Sequence, residues 1–195
     1  KLDETAVCEF YTNETIKQWY KDYINTLLNH TNYYTGEKLM DSEAVFSWEL
    51  ANEPRCTIDG DANNFCKDDI LYNWVTEMSA YVKSIDPYHM VSIGDEGFYN
   101  LGYQEANAQK LPSAAYSGYY GVDFEKLMTI DTIDFGTPHM YIDQWGFTDG
   151  DDVEWIKRHA ETTIKNNKPI IFEEFGVKDK SARDDKYETW LSILT

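Results

Sequence analysis

The chain has 195 residues, of which 42% are hydrophobic and 15% aromatic, and its formal net charge is −18. This length suits one domain, and the excess of acidic residues argues against nucleic acid or an anionic membrane as a partner and favours a neutral one. No apolar run approaches the roughly 18 residues that a membrane span needs, so we expect no membrane segment.

Helices and strands alternate along the chain. Helices are predicted where apolar residues recur every three or four positions, at residues 14–29, 70–85, 151–166 and 182–194. Strands are predicted where short apolar runs end abruptly in polar residues, at residues 45–50, 90–93, 133–141 and 170–172. Residues 98–129 show little periodicity and predict a long excursion over one face with a short helical piece, and long loops of this kind tend to be functional.

The order of these elements predicts an α/β fold. Strands separated by helices imply parallel pairing with right-handed crossovers. Each predicted strand ends in polar groups, which are Asn52-Glu53, Asp95-Glu96, His139 to Tyr141, and Glu173-Glu174. That regularity suits a (β/α)8 barrel of the TIM type, whose loops after the strands form one active face. A whole barrel needs about 250 residues and eight strands. The sequence therefore predicts either a smaller doubly wound sheet or a partial barrel of about four parallel strands with their helices.

Two glutamates at the ends of different strands suggest glycoside hydrolysis. That reaction uses paired carboxyls, one to donate a proton and one to attack or to activate water. Glu53 and a glutamate of the Glu173-Glu174 pair satisfy this pattern; Asn52 could bind a sugar hydroxyl and Tyr141 could hydrogen-bond the nucleophile. The alternative, that these acids form strand-end salt bridges or helix N-caps, stays open in a chain with 35 acidic residues.

Other chemistries lack their motifs. There is no Gly-x-Ser-x-Gly elbow, no Gly-x-Gly-x-x-Gly and no P-loop, so we expect no nucleotide cofactor. Without His-Glu-x-x-His or Cys-x-x-Cys, no metal site is predicted. Of the four histidines, His30 and His159 are expected to be solvated or capping and His89 to be structural. Only His139 lies at a strand end, where a role in the site is open.

Cysteines and glycosylation motifs bear on the compartment. Cys56 and Cys66 bracket a polar loop and predict a disulfide, with two free thiols as the alternative. Cys8 would then lack a partner in this chain. Asn13 and Asn29 begin Asn-x-Thr sequons. Together these features favour a secreted, extracellular protein.

Four blocks of the chain resemble glycoside hydrolase family 5, and most of all its fungal-type endo-β-1,4-mannanases. In order along the chain they are Phe46 to Cys56 (FSWELANEPRC), Gly94 to Phe98 (GDEGF), Asp134 to Tyr141 (DFGTPHMY) and Phe172 to Gly176 (FEEFG). The Asn-Glu-Pro tripeptide is shared by many related hydrolases, but four blocks in the right order are specific. The resemblance covers nearly the whole chain and implies a retaining double displacement on β-1,4-mannans.

The resemblance also implies roles for individual residues. Glu53 is the implied general acid/base, Asn52 the group that holds the sugar 2-hydroxyl, and Glu174, directly before the aromatic-Gly pair, the implied nucleophile. Because adjacent strand residues face opposite ways, only one of Glu173 and Glu174 is expected to point into the site. A retaining site needs its carboxyls about 5 Å apart, and an ionised Glu174 is expected to raise the pKa of Glu53.

Three further residues match positions of the family's site, and Arg55 is a fourth candidate. His139 and Tyr141 correspond to a His-x-Tyr pair that lines the cleavage site, with Tyr141 orienting the nucleophile. Trp145 either packs against substrate or only anchors its loop, and Arg55 either contacts substrate or only braces the loop. The family's usual Tyr-Pro pair is replaced here by Tyr141-Ile142.

The resemblance places residues 1–195 at the fourth to seventh barrel strands, as a single partial catalytic domain without the first three strands and the eighth. Lys1-Leu2-Asp3-Glu4 does not resemble a signal peptide, so we expect an internal fragment of a secreted enzyme. The expected partner is a neutral β-linked polysaccharide, mannan or glucomannan; no cofactor, nucleic acid or membrane is expected, and the chain is expected to be a monomer. An endo- or exo-β-glucanase of the same superfamily and an inactive glycan-binding fragment are the alternatives.

Overall fold

A computed structural model describes residues 6–56 and 69–194 of the chain. In this part, helices alternate with short strands. The helices are α1 (Ala6–Thr12), α2 (Glu14–Leu28), α3 (Ile70–Ile85), α4 (Tyr103–Ala108), α5 (Ser113–Tyr116), α6 (Phe124–Leu127), α7 (Asp151–Asn166) and α8 (Arg183–Leu194). The strands are β1 (Ser47–Glu49), β2 (Met90–Ser92), β3 (His139–Tyr141) and β4 (Glu174–Gly176). None of the helices in the described ranges is long and apolar enough to cross a membrane.

The strands lie side by side in chain order. β1 pairs with β2 and β3 with β4, both in parallel, as predicted. The two pairs are joined by backbone hydrogen bonds, from Asp134 N to Val91 O at 2.9 Å and from His139 N to Glu96 O at 3.0 Å. A parallel run with neighbours in sequence order and helical crossovers is the arrangement expected of part of a (β/α)8 barrel. The carboxyl ends of all four strands therefore share one edge.

The core lies between the strands and the long helices. α3 buries Trp74, Val75 and Met78, each at most 1% exposed. α7 buries Trp155, whose indole Nε1 donates to the backbone carbonyl of His139 at 2.9 Å. Because His139 is the first residue of β3, this hydrogen bond fixes the position of the strand relative to α7.

A side-chain network ends α3 where the sequence predicts it. Asp86 follows the last residue of the helix, and its Oδ1 accepts from the backbone N–H groups of Tyr88 and His89, both at 3.1 Å. Its Oδ2 accepts from Trp48 Nε1 at 2.7 Å and lies 2.7 Å from His89 Nδ1. The turn is thereby tied to β1, and the structural role predicted for His89 is confirmed.

Helices are predicted more closely than strands. α2, α3, α7 and α8 agree with the predicted segments to within a residue at each end, whereas α1 is absent from the prediction. The predicted strand 170–172 is wrong in position, because regular pairing begins only at Glu174. Before Glu174, residues 170–173 make only isolated backbone contacts with residues 136–138. The predicted strand 133–141 is regular only at its end, since Pro138 has no N–H to donate to a ladder.

The long excursion contains three short helices, α4 to α6, instead of one helical piece. Within it, the rings of Tyr99 and Tyr116 stack 5.6 Å apart in the core. His159 of α7 packs against this region and is fully buried, so its expected solvated or capping role is wrong. Its Nδ1 lies 2.8 Å from Trp155 O and its Nε2 lies 3.0 Å from Gly97 O. Burial lowers the pKa of His159 to about 4.

The features that bear on secretion stay predictions. Cys66 lies outside the described residues; Cys56 is buried and has no disulfide partner among those described. Asn13 is exposed and caps α2, its side chain accepting from the Thr15 N–H at 3.0 Å. Asn29 follows α2, where its side-chain amide donates to Asn25 O at 3.0 Å.

Candidate active site

Glu53 stands just beyond β1 in an unusual backbone conformation. Its φ is +48°, in the left-handed region that costs a residue other than glycine about 1–3 kcal/mol and that clusters at functional sites. The surrounding structure holds it there, because the Glu53 N–H donates to Gly94 O at 2.7 Å and the following Pro54 is buried. Its side chain is 26% exposed, so the carboxyl is open to a ligand.

His139, the first residue of β3, connects the two candidate carboxyls. The imidazole is fully buried, and its Nδ1 lies 2.9 Å from Glu53 Oε1 and 3.6 Å from Glu174 Oε2. Burial alone would lower the pKa of His139, but the hydrogen bond with Glu53 and the charges of Glu174, Glu53 and Glu96 raise it overall. The site role that was open for His139 in the sequence thus has a geometric basis.

Glu174 begins β4 directly opposite His139 in the parallel register. Its Oε2 accepts a hydrogen bond from the Tyr141 hydroxyl at 2.9 Å. This hydrogen bond, followed by burial, raises the pKa of Tyr141 to about 12, so the phenol stays protonated and keeps donating. The Tyr141 ring lies against Gly176, where an added Cβ would come within 3.1 Å of it.

The spacing of the carboxyls distinguishes between the two hydrolytic mechanisms. One carboxylate oxygen of Glu53, one of Glu174 and a nitrogen of His139 all lie within 4.8 Å of one another. Retaining glycosidases have their carboxyls about 5–5.5 Å apart and inverting enzymes about 6.5–9.5 Å apart. The spacing therefore favours a retaining site. The same three groups could surround a cation, but each already has a partner within the protein, and we assign no metal to them.

Arg55 holds the loop after Glu53 against the neighbouring strand. Its Nε forms a salt bridge with Glu96, which is fully buried, and its Nη2 lies 3.2 Å from Glu53 Oε2. The guanidinium sits over the Tyr120 ring, 4.4 Å from its centroid, and 5.5 Å from that of Phe98. Burial raises the pKa of Glu96 to about 7 despite the arginine. These contacts establish the bracing role of Arg55, while contact with substrate stays a prediction.

The expected rise in the pKa of Glu53 is wrong for this structure. The hydrogen bond with His139 lowers this pKa, burial opposes it, and the charges of Arg55 and His139 lower it further. The net pKa lies below the ordinary value for glutamate. The sequence placed Glu174 beside Glu53 but did not show that a histidine and an arginine would contact the same carboxyl.

Asn52 and Trp145 occupy contrasting positions. Asn52 is exposed beside Glu53, where a sugar hydroxyl could reach it. Trp145 is only 7% exposed, and its ring lies 4.8 Å from that of Phe98 and 6.1 Å from that of Tyr141, centroid to centroid. Trp145 therefore anchors its loop beside Tyr141, and its contact with substrate stays a prediction.

Several acidic groups near the site were not assigned roles from the sequence. Besides Glu96, they are Glu49, Asp95 and Glu173, which all interact electrostatically with His139 or with one another. Partial burial and the charge of Glu173 raise the pKa of Glu49 to about 7, and full burial raises that of Asp95 to about 6. Their positions on or after predicted strands were the available signal, but that signal does not reveal which groups meet.

Comparison with known proteins identifies a matching family and named relatives. The family model described as GH family 5 beta-mannosidase-like matches residues 3–191. Mannan endo-1,4-beta-mannosidase F of Aspergillus clavatus is 40% identical over 177 residues, which cover 90% of this chain and 36% of that protein. Mannan endo-1,4-beta-mannosidase A of Aspergillus aculeatus is 40% identical over 172 residues, which cover 88% of this chain and 40% of that protein. The chain thus spans well under half the length of these curated relatives.

Two solved structures that resemble this chain are also mannanases. The endo-1,4-beta-mannanase from Rhizomucor miehei matches with a TM-score of 0.83 and 37% identity, over 95% of this chain and 51% of that one. The endo-beta-1,4-mannanase from Thermotoga petrophila matches with a TM-score of 0.81 and 37% identity, over 96% of this chain and 40% of that one. The fold described above is therefore shared with solved mannanases.

Proposed function

The chain belongs to glycoside hydrolase family 5, in its beta-mannosidase-like group, and on this basis we propose that it carries the two catalytic carboxylates of a retaining endo-β-1,4-mannanase. Membership confirms the family predicted from the four sequence blocks. The observation that carries the proposal is the placement of two carboxylates, Glu53 just beyond β1 and Glu174 in β4, against the same nitrogen of His139, Nδ1. The substrate is proposed from the names of the relatives.

The geometry supports a double displacement with Glu174 as nucleophile. Glu174 attacks the anomeric carbon while Glu53 gives a proton to the glycosidic oxygen. The glycosidic bond breaks, and an ester between the sugar and Glu174 forms. Water then attacks the same carbon, Glu53 takes its proton, and the ester bond to Glu174 breaks. The Tyr141 hydroxyl keeps Glu174 Oε2 in place through its hydrogen bond, leaving the other oxygen for attack.

The surrounding residues receive roles in the same proposal. Asn52 holds the 2-hydroxyl of the sugar at the cleavage point, and its exposure beside Glu53 supports this role. Arg55 and Trp145 border the substrate in addition to bracing their loops. The net charge of −18 suits an uncharged polysaccharide, since a polyanion would be repelled.

The proposal extends to the whole protein. We place this chain at the fourth to seventh strands of a barrel, which is supported by its 51% coverage of the Rhizomucor enzyme. We propose secretion as well, supported by the exposed sequon at Asn13. A glycan released from Asn13 of the secreted protein would support this, whereas an unmodified protein retained in the cell would contradict it.

The test uses the intact protein, with galactomannan and carboxymethylcellulose as substrates. Reducing sugar should be released from galactomannan, and Glu53→Gln and Glu174→Gln should each abolish the release. Preference for carboxymethylcellulose would instead identify a β-glucanase, and no release from either would favour a glycan-binding protein. Activity that survives Glu174→Gln but not Glu173→Gln would overturn the assignment of the nucleophile.

Azide distinguishes the two carboxylate roles. With an aryl β-mannoside whose leaving group needs no proton, azide should rescue both alanine variants, because the small anion can enter the vacated space. Glu53→Ala should yield the β-mannosyl azide, since azide replaces water in the second displacement. Glu174→Ala should yield the α-mannosyl azide by one direct displacement. The reverse pattern of products would exchange the two roles.

A further inference from the structure

The second ring nitrogen of His139 faces away from the two catalytic carboxyls. Nδ1 is taken by Glu53, whereas Nε2 is buried and makes no hydrogen bond to any residue that the structure describes. The carboxylate oxygen Glu173 Oε2 lies 3.8 Å from this Nε2. The imidazole is therefore held between carboxylates at both of its nitrogens.

Glu173 and Glu174 reach opposite edges of the same ring. Glu174 lies on the Nδ1 side and accepts from Tyr141, while Glu173 lies on the Nε2 side, with its backbone N–H donating to Pro138 O at 3.3 Å. We expected only one of these neighbours to face the site. Glu174 does so beside Nδ1 of His139, whereas Glu173 lies near the same ring at Nε2, on the side away from the two catalytic carboxyls.

The groups around His139 are almost all acidic. The acidic groups come from three segments: Glu49 and Glu53 lie in and after β1, Asp95 and Glu96 follow β2, and Glu173 and Glu174 lie just before and at the start of β4. Arg55 also follows β1 and contacts Glu53. The one cation among these groups, Arg55, is already engaged with Glu96 and Glu53. Burial opposes a positive charge on the imidazole, but Glu53, Glu174 and Glu96 together favour it.

We propose that Glu173 is a positioning residue that keeps a proton on Nε2 of His139, so that Nδ1–H is the proton that His139 exchanges with Glu53 during the reaction. The proposal rests on the proposed function, which assigns Glu53 as acid/base. When Glu53 protonates the glycosidic oxygen, Nδ1–H of the imidazolium transfers to Glu53 and leaves a neutral ring protonated at Nε2. When water attacks the glycosyl-enzyme, Glu53 takes the proton of water and returns one proton to Nδ1.

This exchange accounts for an acid/base carboxyl that is not itself shifted toward protonation. The pKa of Glu53 is lowered and that of His139 is raised, in both cases through their shared hydrogen bond. Both shifts favour the form of the pair in which His139 is an imidazolium and Glu53 a carboxylate. The nitrogen that carries this proton, Nδ1, lies 2.9 Å from Oε1 of Glu53, and Glu53 passes the proton on to the glycosidic oxygen.

The test replaces Glu173 by Gln in the intact protein and follows His139 by ¹⁵N NMR of the imidazole nitrogens. Removing a charge about 4 Å from Nε2 should lower the midpoint of the His139 titration by about one pH unit, since the site is partly open to water. The basic limb of the kcat profile on galactomannan should move down by the same amount, with little change in KM because Glu173 does not touch the sugar.

Two further variants make the result specific. Glu173→Asp keeps the charge and should retain the wild-type basic limb. Glu43→Gln removes one charge from an exposed position before β1 and should change neither the titration nor the profile. An unmoved His139 titration in folded Glu173→Gln, or an equal shift in Glu43→Gln, would overturn the proposal. If the wild-type protein cleaves no mannan, the proposed function fails, while the NMR titration still decides whether Glu173 controls the charge of His139.

Discussion

Replacement of Tyr141 by Phe tests the hydrogen bond that holds the proposed nucleophile. The phenol donates to Glu174 Oε2 at 2.9 Å, and Phe keeps the ring that packs against Gly176 while removing only the hydroxyl. Without this donor, Glu174 loses a fixed orientation and one partner for its charge. We expect a lower kcat on mannan with little change in KM, because the hydroxyl contacts the enzyme's carboxylate and not the sugar in the arrangement we propose.

The magnitude follows from the geometry and exposure of the bond. Hydrogen bonds to charged groups contribute about 1.5–3 kcal/mol. The Glu174 side chain is 34% exposed, so water replaces part of the lost interaction and the lower end of that range applies. A loss of about 1.4 kcal/mol in stabilisation of the transition state corresponds to about a tenfold decrease in kcat.

The assay is initial-rate kinetics on galactomannan with wild type, Tyr141→Phe and a matched control, Tyr34→Phe. Tyr34 is 91% exposed and is not part of the pairing of β3 with β4, and its replacement makes the same chemical change. Thermal unfolding of all three proteins shows whether the fold is intact. A folded Tyr141→Phe variant with the wild-type kcat would refute the role of the phenol in positioning Glu174.

Two further predictions concern the buried contact between Gly97 and His159. Gly97→Ala should destabilise the fold by more than about 1 kcal/mol in chemical denaturation, since φ is +86° and the new Cβ would lie 2.4 Å from His159 Nε2; an Ala variant as stable as wild type would contradict the packing. Because folding lowers the pKa of His159 from 6.5 to about 4, the unfolded chain binds its proton more readily, and stability is lost as pH falls from 6.5 toward 4. Relative to His159→Phe, wild type should lose about 3 kcal/mol over this interval, and parallel stability curves for the two proteins would show that His159 carries no such penalty.

Local sequence patterns were sufficient for the helices. Apolar residues that recur every three or four positions, and the Asp86-Pro87 pair that ends a helix, can be recognised within a short stretch of sequence. The ends of α3 and α7 were therefore predicted as observed. Strand positions were less accurate. A parallel ladder depends on a partner distant in sequence, and the apolar run at residues 170–172 only precedes the regular pairing that begins at Glu174.

In the candidate site, too, some features follow from the local sequence and others only from the tertiary structure. The sequence by itself placed Glu53, His139 and Glu174 at or just beyond the ends of predicted strands, because polar residues that interrupt apolar runs can be read locally. Only the tertiary structure decided how they meet: that one imidazole contacts Glu53 at Nδ1 and faces Glu173 at Nε2, and that this contact lowers the pKa of Glu53. Charge and hydrogen bonding act across space between residues 86 positions apart, and no local pattern records that distance.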